Sequence, residues 1–328
     1  MKTAGSPCRL RCLLVGELAP EGMAALRAIW PEEHLEVVPA ADAVGWGRAQ
    51  PFDVIWDCFG EEQAVARALR ANPEVTWLHT SAAGIDRLTG VLPAHSGLTV
   101  THGAGIGAIP IAEFVVGCLL AHAKRLLDFA SLHRQHRWSS PELRELGDLR
   151  VVMMGLGEIG GAVVARLIPF GCPIIGVRRD PGRGAPDGVL RVVGAAQLDE
   201  ACAGADALVV AAPLTPATRR LVGAQVLRAL APNSVLVNVA RGAIVDEAAL
   251  LRGLAGGQPS AAFLDALEEE PLPPRSPLWS TPGVLVTSHS SWSSPHFAQR
   301  SGELFAEQLR RRRGGHRLRN LADLAVGY

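Results

Sequence analysis

The chain has no surplus of charge of either sign. Its 328 residues carry 32 Lys and Arg against 32 Asp and Glu. No global field therefore draws it to nucleic acid or to an anionic membrane, and any anion site must be local. It lacks an apolar run of bilayer-spanning length, and charged residues interrupt the opening MKTAGSPCRLRCLL where a signal peptide would stay apolar. A cytoplasmic location is the expectation. It also lacks CxxC pairs and histidines at zinc spacing. Cys8, Cys12, Cys58, Cys118, Cys172 and Cys202 are scattered, which suits reduced, buried thiols and argues against a metal site. Internal repeats and low-complexity tracts are missing too, apart from four arginines at 310–313, which suit a solvated helix C-terminus.

What is present fits a globular α/β protein: 48% hydrophobic residues, 20% charged residues and 35 glycines are enough for a real core. The length suggests two domains. Strand-length apolar runs alternate with amphipathic stretches: RLRCLLVG, a helical 21–29, LEVVPA, DVIWDCF, a helical 61–71 and TWLHT. The rhythm resumes with RVVMMGLG, PIIGVRR, DALVVAAP, SVLVNVA, SAAFLDA and GVLVTSH. Such alternation predicts two doubly wound parallel sheets, the second larger than the first. An apolar helical stretch over 110–136 separates them, and a helix over about 295–313 follows the last strand and should return to the first lobe. The expected division is 1–103 with 290–328 for one domain and 104–289 for the other.

Gly155, Gly157 and Gly160 form GxGxxG directly after a strand and at the opening of a helix. The first two allow a tight turn and close backbone approach to a pyrophosphate seated on helix N–H groups, a dinucleotide site. Leu156, Glu158 and Ile159 complete the loop. The residue that reads the adenosine ribose should stand at the end of the second strand, where this chain has Arg178 and Arg179. Two guanidiniums favour a 2′-phosphate, so NADP(H) is the expected cofactor. NAD(H) is the alternative if Asp180 takes that place.

Three further strand ends bring polar groups out of apolar sequence: Arg241 after SVLVNVA, Asp265 and Glu270 after SAAFL, and His289 after GVLVTS. In wound sheets ligands bind beyond the carboxyl ends of the strands. Reduction of a 2-keto acid needs a cation with two-point geometry for the carboxylate and carbonyl, which Arg241 offers. It also needs a proton donor titrating near neutrality, which His289 offers, and Glu270 would orient the imidazole and stabilise its cation.

The stretches HTSAAGIDRL, AIPIAEFVVG, GLGEIGGAVVARL, APLTPATRRLV, VNVARGAIVDEAAL, LDALEEEPLP, TSHSSW and NLADLAVGY occur in order along nearly the whole chain. In these the sequence resembles the D-isomer-specific 2-hydroxyacid dehydrogenase family, which includes glyoxylate/hydroxypyruvate reductases and phosphoglycerate dehydrogenases. The resemblance implies a Rossmann-type nucleotide-binding domain inserted in a flavodoxin-like substrate domain that closes over its ligands. It implies Arg241 as the substrate-binding arginine, Glu270 as the catalytic glutamate before proline, His289 as the acid/base histidine, and Asp265 as the partner of the nicotinamide carboxamide. Pro213 and Ala240 join the cofactor-binding set, and backbone amides of Ala83 and Gly84 bind the substrate carboxylate. Two departures stand out: Ser288 where the family usually has proline, and Arg178 at its usual acidic position.

The expected function is an NAD(P)H-dependent 2-keto acid reductase acting on a small substrate such as glyoxylate or hydroxypyruvate. The alternatives are an NAD-dependent phosphoglycerate-type dehydrogenase and a non-catalytic, corepressor-like dinucleotide sensor. The apolar helix near 112–129 predicts a homodimer. Trp138 and Trp292 are expected in core or interface packing, with the substrate pocket as the other option. His79, His102, His122, His133 and His136 are read as packing or surface histidines.

Overall fold

Two parallel sheets organise the chain in a computed structural model that describes residues 9–32, 34–41, 51–92 and 97–324. The opening residues with Cys8 and the last four residues of NLADLAVGY lie outside the described residues. Two units are distinguished, residues Met1–Gly107 with Ser294–Tyr328, and Ala108–Ser293.

The first unit runs β1 (Leu10–Gly16), α1 (Pro20–Ile29), β2 (Leu35–Pro39), β3 (Val54–Cys58), α2 (Glu62–Ala71), β4 (Trp77–Thr80) and β5 (Thr99–His102). Its strands pair in parallel in the order β2-β1-β3-β4-β5, the flavodoxin-like arrangement. Every residue of β3 and β4 is buried, as a parallel sheet covered on both faces requires. This burial forces the polar residues Asp57, His79 and Thr80 to find partners inside.

The second unit opens with α3 (Ala108–Ala123) and α4 (Leu126–Arg134). It continues through β6 (Val151–Met154), α5 (Glu158–Leu167), β7 (Ile174–Val177), β8 (Val189–Val193), α6 (Leu198–Cys202), β9 (Ala207–Val210) and α7 (Ala224–Ala229). It ends with β10 (Val235–Asn238), α8 (Glu247–Ala255), β11 (Ala261–Leu264) and β12 (Val284–Val286). The seven strands pair in parallel in the order β12-β11-β10-β9-β6-β7-β8, the Rossmann order with one strand added. The chain reverses direction across the sheet between β6 and β9, which fixes the ligand crevice at the carboxyl ends of those strands.

The helical stretch over 110–136 is two helices rather than one. Arg125 adopts a left-handed conformation with φ of 51°, which ends the run of α3. Its guanidinium then pairs with Asp128 at 2.6 Å in the first turn of α4. The final helix, α9 (Phe297–Arg313), belongs to the first unit and packs on α1. The two helices approach closely at paired glycines: a Cβ on Gly302 would lie 2.1 Å from the Gly22 carbonyl oxygen. Phe305 of α9 stacks on Trp56 with ring centroids 4.1 Å apart. Among the described residues no helix is long and apolar enough to cross a membrane.

Candidate active site

The glycine loop leaves β6 at its carboxyl end and enters α5 directly. Gly155 has φ of +101°, a region L side chains avoid, and a Cβ there would sit 2.7 Å from the backbone of Ala211 and Ala212. A Cβ on Gly160 would lie 1.9 Å from the Gly155 oxygen, so α5 meets the strand only through a glycine. Nothing lies within 4 Å of the Cβ position at Gly157, and no side chain caps the first turn of α5. The loop therefore presents uncapped N–H groups at the positive end of a helix beside open space, which fits the pyrophosphate of a dinucleotide. The Leu156 side chain lies over Gly176 of β7, where a Cβ would be 2.5 Å from its Cδ1. Leu156 and Ile159 thus hold the loop down by packing, and Glu158 is exposed.

After β7 the three charged residues separate. Arg178 donates to the Gly184 carbonyl and its Nε is buried, so this guanidinium closes the turn on itself. Asp180 accepts from the Gly182 N–H at 3.1 Å and pairs with Arg183 at 3.3 Å. Its carboxylate is thereby engaged in capping the short 3-10 turn Pro181–Arg183. Arg179 is exposed.

Arg241, Glu270 and His289 follow three neighbouring strands, β10, β11 and β12. Asn238, the last residue of β10 and 1% exposed, fixes the exit toward Arg241. Its Nδ2 donates to the carbonyls of Arg241 at 3.1 Å and Ala266 at 3.3 Å, and its Oδ1 accepts from Ala240 N at 3.1 Å. Arg241 is half-buried and its Nη1 donates to the Ala240 carbonyl at 2.8 Å. Pro213, beyond β9, accepts from the Thr218 hydroxyl at 2.7 Å.

Glu270 and His289 are in direct contact. Glu270 Oε1 accepts from Leu267 N at 2.8 Å, which aims the other oxygen, Oε2, at His289 Nδ1, also 2.8 Å away. With Nδ1 taken by a carboxylate, the imidazole keeps Nε2 for a reacting group. Both side chains remain about one-third exposed, at 33% and 37%. His289 has φ of 51°, a left-handed conformation uncommon for a residue with a side chain. Its backbone N–H donates to the Asp265 carbonyl at 3.0 Å, and Trp292 Nε1 donates to the His289 carbonyl at 2.8 Å.

Asp265 is 1% exposed. Its Oδ1 accepts from the Thr287 hydroxyl at 2.6 Å and from the N–H groups of Ser290 at 2.9 Å and Ser291 at 3.2 Å. Its Oδ2 accepts from the backbone and hydroxyl of Ser291. The carboxylate thus holds the loop that carries His289, a role the sequence did not reveal. Trp138 is 99% exposed, which removes it from the core, whereas Trp292 packs on the second unit's core. In the first unit Ala83 is exposed and Gly84 half-buried in the loop after β4.

Residues 116–291 match the family described as D-isomer specific 2-hydroxyacid dehydrogenase, NAD binding domain. The chain belongs to that family. A glyoxylate reductase of Thermofilum pendens is 30% identical over 77% of this chain and 76% of the relative. A D-3-phosphoglycerate dehydrogenase of Methanocaldococcus jannaschii is 31% identical over 74% of this chain, but the match takes up only 46% of the relative. The chain thus spans about half the length of the phosphoglycerate dehydrogenases it matches. Among solved structures, an NADPH-dependent glyoxylate/hydroxypyruvate reductase of Sinorhizobium meliloti, in complex with NADP and sulfate, superposes with a TM-score of 0.84 at 26% identity. That match covers 98% of this chain and 100% of the other. A D-isomer specific 2-hydroxyacid dehydrogenase of Xanthobacter autotrophicus, in complex with NADPH and MES, gives 0.85 at 29% identity, with the same coverage. In this member of the family the expected two-sheet architecture, a Rossmann-type unit inserted in the sequence of a flavodoxin-like one, is present.

Proposed function

We propose that the chain is an NADPH-dependent reductase of small 2-keto acids such as glyoxylate or hydroxypyruvate, with NADH as a poorer cofactor. The observation that carries the proposal is the 2.8 Å contact of Glu270 with His289 Nδ1 at the carboxyl edge of a sheet whose glycine loop fits a dinucleotide. When bound, the nicotinamide supplies the hydride. Arg241 binds the substrate carboxylate and polarises the keto oxygen. The backbone N–H groups of Ala83 and Gly84 are assigned to the carboxylate as well. His289, protonated and held through Nδ1 by Glu270, delivers the Nε2 proton to the keto oxygen as hydride reaches the carbon. The products are the 2-hydroxy acid, the oxidised coenzyme and a neutral imidazole that recovers its proton from water. Gly155 to Gly160, Pro213 and Ala240 are assigned to the cofactor, and Arg179, with Arg178 behind it, to its 2′-phosphate. Asp265, assigned to the nicotinamide carboxamide in sequence, already accepts from four donor groups of the segment after β12: the Thr287 and Ser291 hydroxyls and the N–H groups of Ser290 and Ser291. We therefore assign it first to positioning His289.

The test is NADPH oxidation, followed optically, against glyoxylate, hydroxypyruvate, pyruvate and bulkier 2-keto acids. Turnover should fall about a hundredfold to ten-thousandfold in His289→Ala, with NADPH affinity retained. No turnover with any acid would favour the dinucleotide-sensor reading instead. We further propose that the enzyme is a cytoplasmic homodimer. No residue of α4 is buried; its Leu126, Leu127 and Phe129 are exposed, as is Trp138 beyond its end, and this apolar surface suits a second copy.

A further inference from the structure

A buried carboxylate lies beneath the 81–84 loop in the first unit. Asp57, at 0% exposure, takes no part in the chemistry assigned above. Its Oδ1 accepts from Gly60 N at 2.9 Å, and its Oδ2 accepts from the Thr80 hydroxyl at 2.7 Å and from the Arg87 guanidinium. Arg87 also donates to the Gly60 carbonyl at 3.1 Å. One carboxylate thereby ties together the turn after β3, the end of β4 and the short helix Asp86–Leu88. The connection then continues outward, because Thr80 Oγ1 accepts from the backbone N–H of Ala82 at 3.2 Å.

The rest of the loop is pinned as well. Ser81 N donates to the Asp57 carbonyl and Gly103 N to the Ala82 carbonyl, each at 2.8 Å. The Ser81 hydroxyl accepts from Trp56 Nε1 at 3.0 Å and lies 2.7 Å from the hydroxyl of Ser301. Ser81 and Ile85 are buried while Ala83 between them is exposed. An ionised group in an apolar sheet is costly, and apolar residues of similar volume often serve stability as well or better. What an Asp-Arg-Thr set provides and an apolar core does not is a fixed direction for neighbouring N–H groups.

We propose that Thr80, backed by Asp57 and Arg87, is a positioning relay that fixes the 81–84 backbone so that its N–H groups meet the substrate carboxylate. The proposal rests on the assignment of Ala83 and Gly84 made above. Thr80 touches neither substrate nor cofactor and acts only through the loop.

Thr80→Val keeps the side-chain shape and removes the acceptor of the Ala82 N–H. The KM for the best 2-keto acid should rise about threefold to tenfold, the range set by losing one hydrogen bond's worth of alignment. The Ki of oxamate, an unreactive carboxylate analogue, should rise in parallel. The kcat should stay within about twofold, and the Kd for NADPH should not move. Thr80→Ser, which keeps the hydroxyl, should restore KM. If Thr80→Val fails to fold, Asp57→Asn tests the same relay and should shift KM and the oxamate Ki in the same direction. A stable variant with unchanged KM and Ki overturns the relay, as does a Thr80→Ser protein no better than Thr80→Val. Absence of turnover in the unaltered enzyme would instead sink the reductase reading and the relay with it.

Discussion

Arg179→Ala is the substitution that best separates this site from an NAD-specific one. Of the three charged residues after β7, Arg178 is tied to Gly184 and Asp180 is engaged by Gly182 and Arg183. That leaves Arg179, exposed, as the guanidinium a 2′-phosphate would meet first. A charge-assisted hydrogen bond contributes about 1.5–3 kcal/mol, and solvent exposure cuts this to about 1–2 kcal/mol. The expected loss in kcat/KM for NADPH is therefore roughly fivefold to thirtyfold, while NADH, which has no phosphate, should change by less than about twofold. Initial rates with both coenzymes at a fixed saturating keto acid give the ratio directly. The NADPH term should also weaken as salt is raised. Arg178→Ala should behave differently, because losing the tie to Gly184 loosens the turn for both coenzymes. An Arg179→Ala enzyme with an unchanged NADPH/NADH ratio would refute the reasoning. So would an Asp180→Ala enzyme that loses its activity with NADH alone, since Asp180 would then be the ribose reader.

Asp265→Asn should lower stability by about 1–3 kcal/mol, because an amide nitrogen must replace one oxygen among donors only, and kcat should fall with it. Thermal unfolding and rates on the same preparation check both, and an unaltered kcat would detach Asp265 from His289. His79 gives a pH dependence. Burial pushes its imidazole from the usual 6.5 down to about 3, and its Nε2 has no partner among the described residues. Between those values the unfolded chain binds one more proton than the folded one. Stability should therefore be complete above about pH 6.5 and fall as pH drops, by up to about 1.4 kcal/mol per unit. His79→Gln should flatten that acid limb in melting curves, and an equally steep limb would assign the loss to other groups. Sedimentation should report a dimer, and Trp138→Ser combined with Leu126→Ser should shift it toward monomer; a monomeric unaltered protein would rule the apolar face out as a contact.

The larger elements could be read from sequence because their signals are local. Apolar strands bounded by turn residues, glycines at a strand-to-helix junction and polar residues at strand ends all show in a few consecutive positions. β5 and β8 escaped notice for the same reason. TVTH is short and polar at three of its four positions, and VLRVV leaves Leu190 and Arg191 exposed on an edge strand. The break at Arg125 carried no glycine or proline to mark it, since an arginine holds the left-handed position there. The roles of Asn238, Asp57 and Thr80 were invisible because each acts on backbone groups that only the folded sheet brings near. Asp265 was visible as a residue, but the donors that fill its carboxylate come from the loop after β12, 22 to 26 positions on.

The position of His289 shows why Ser288 is tolerated. A left-handed conformation at a residue with a side chain costs on the order of 1–2 kcal/mol, so something must hold it. A proline before the histidine would restrain the chain from one side only. Here the Asp265 carbonyl accepts from the His289 N–H, its carboxylate accepts from the next two N–H groups and the Thr287 and Ser291 hydroxyls, and Trp292 Nε1 donates to the His289 carbonyl. Several hydrogen bonds at about 0.5–1.5 kcal/mol each exceed that strain. The imidazole direction is therefore set from β11 and from downstream of His289, and Ser288 is free to vary. Ser288→Pro should accordingly leave kcat nearly unchanged, whereas Trp292→Phe, which deletes the bond to the His289 carbonyl and keeps the packing, should lower it.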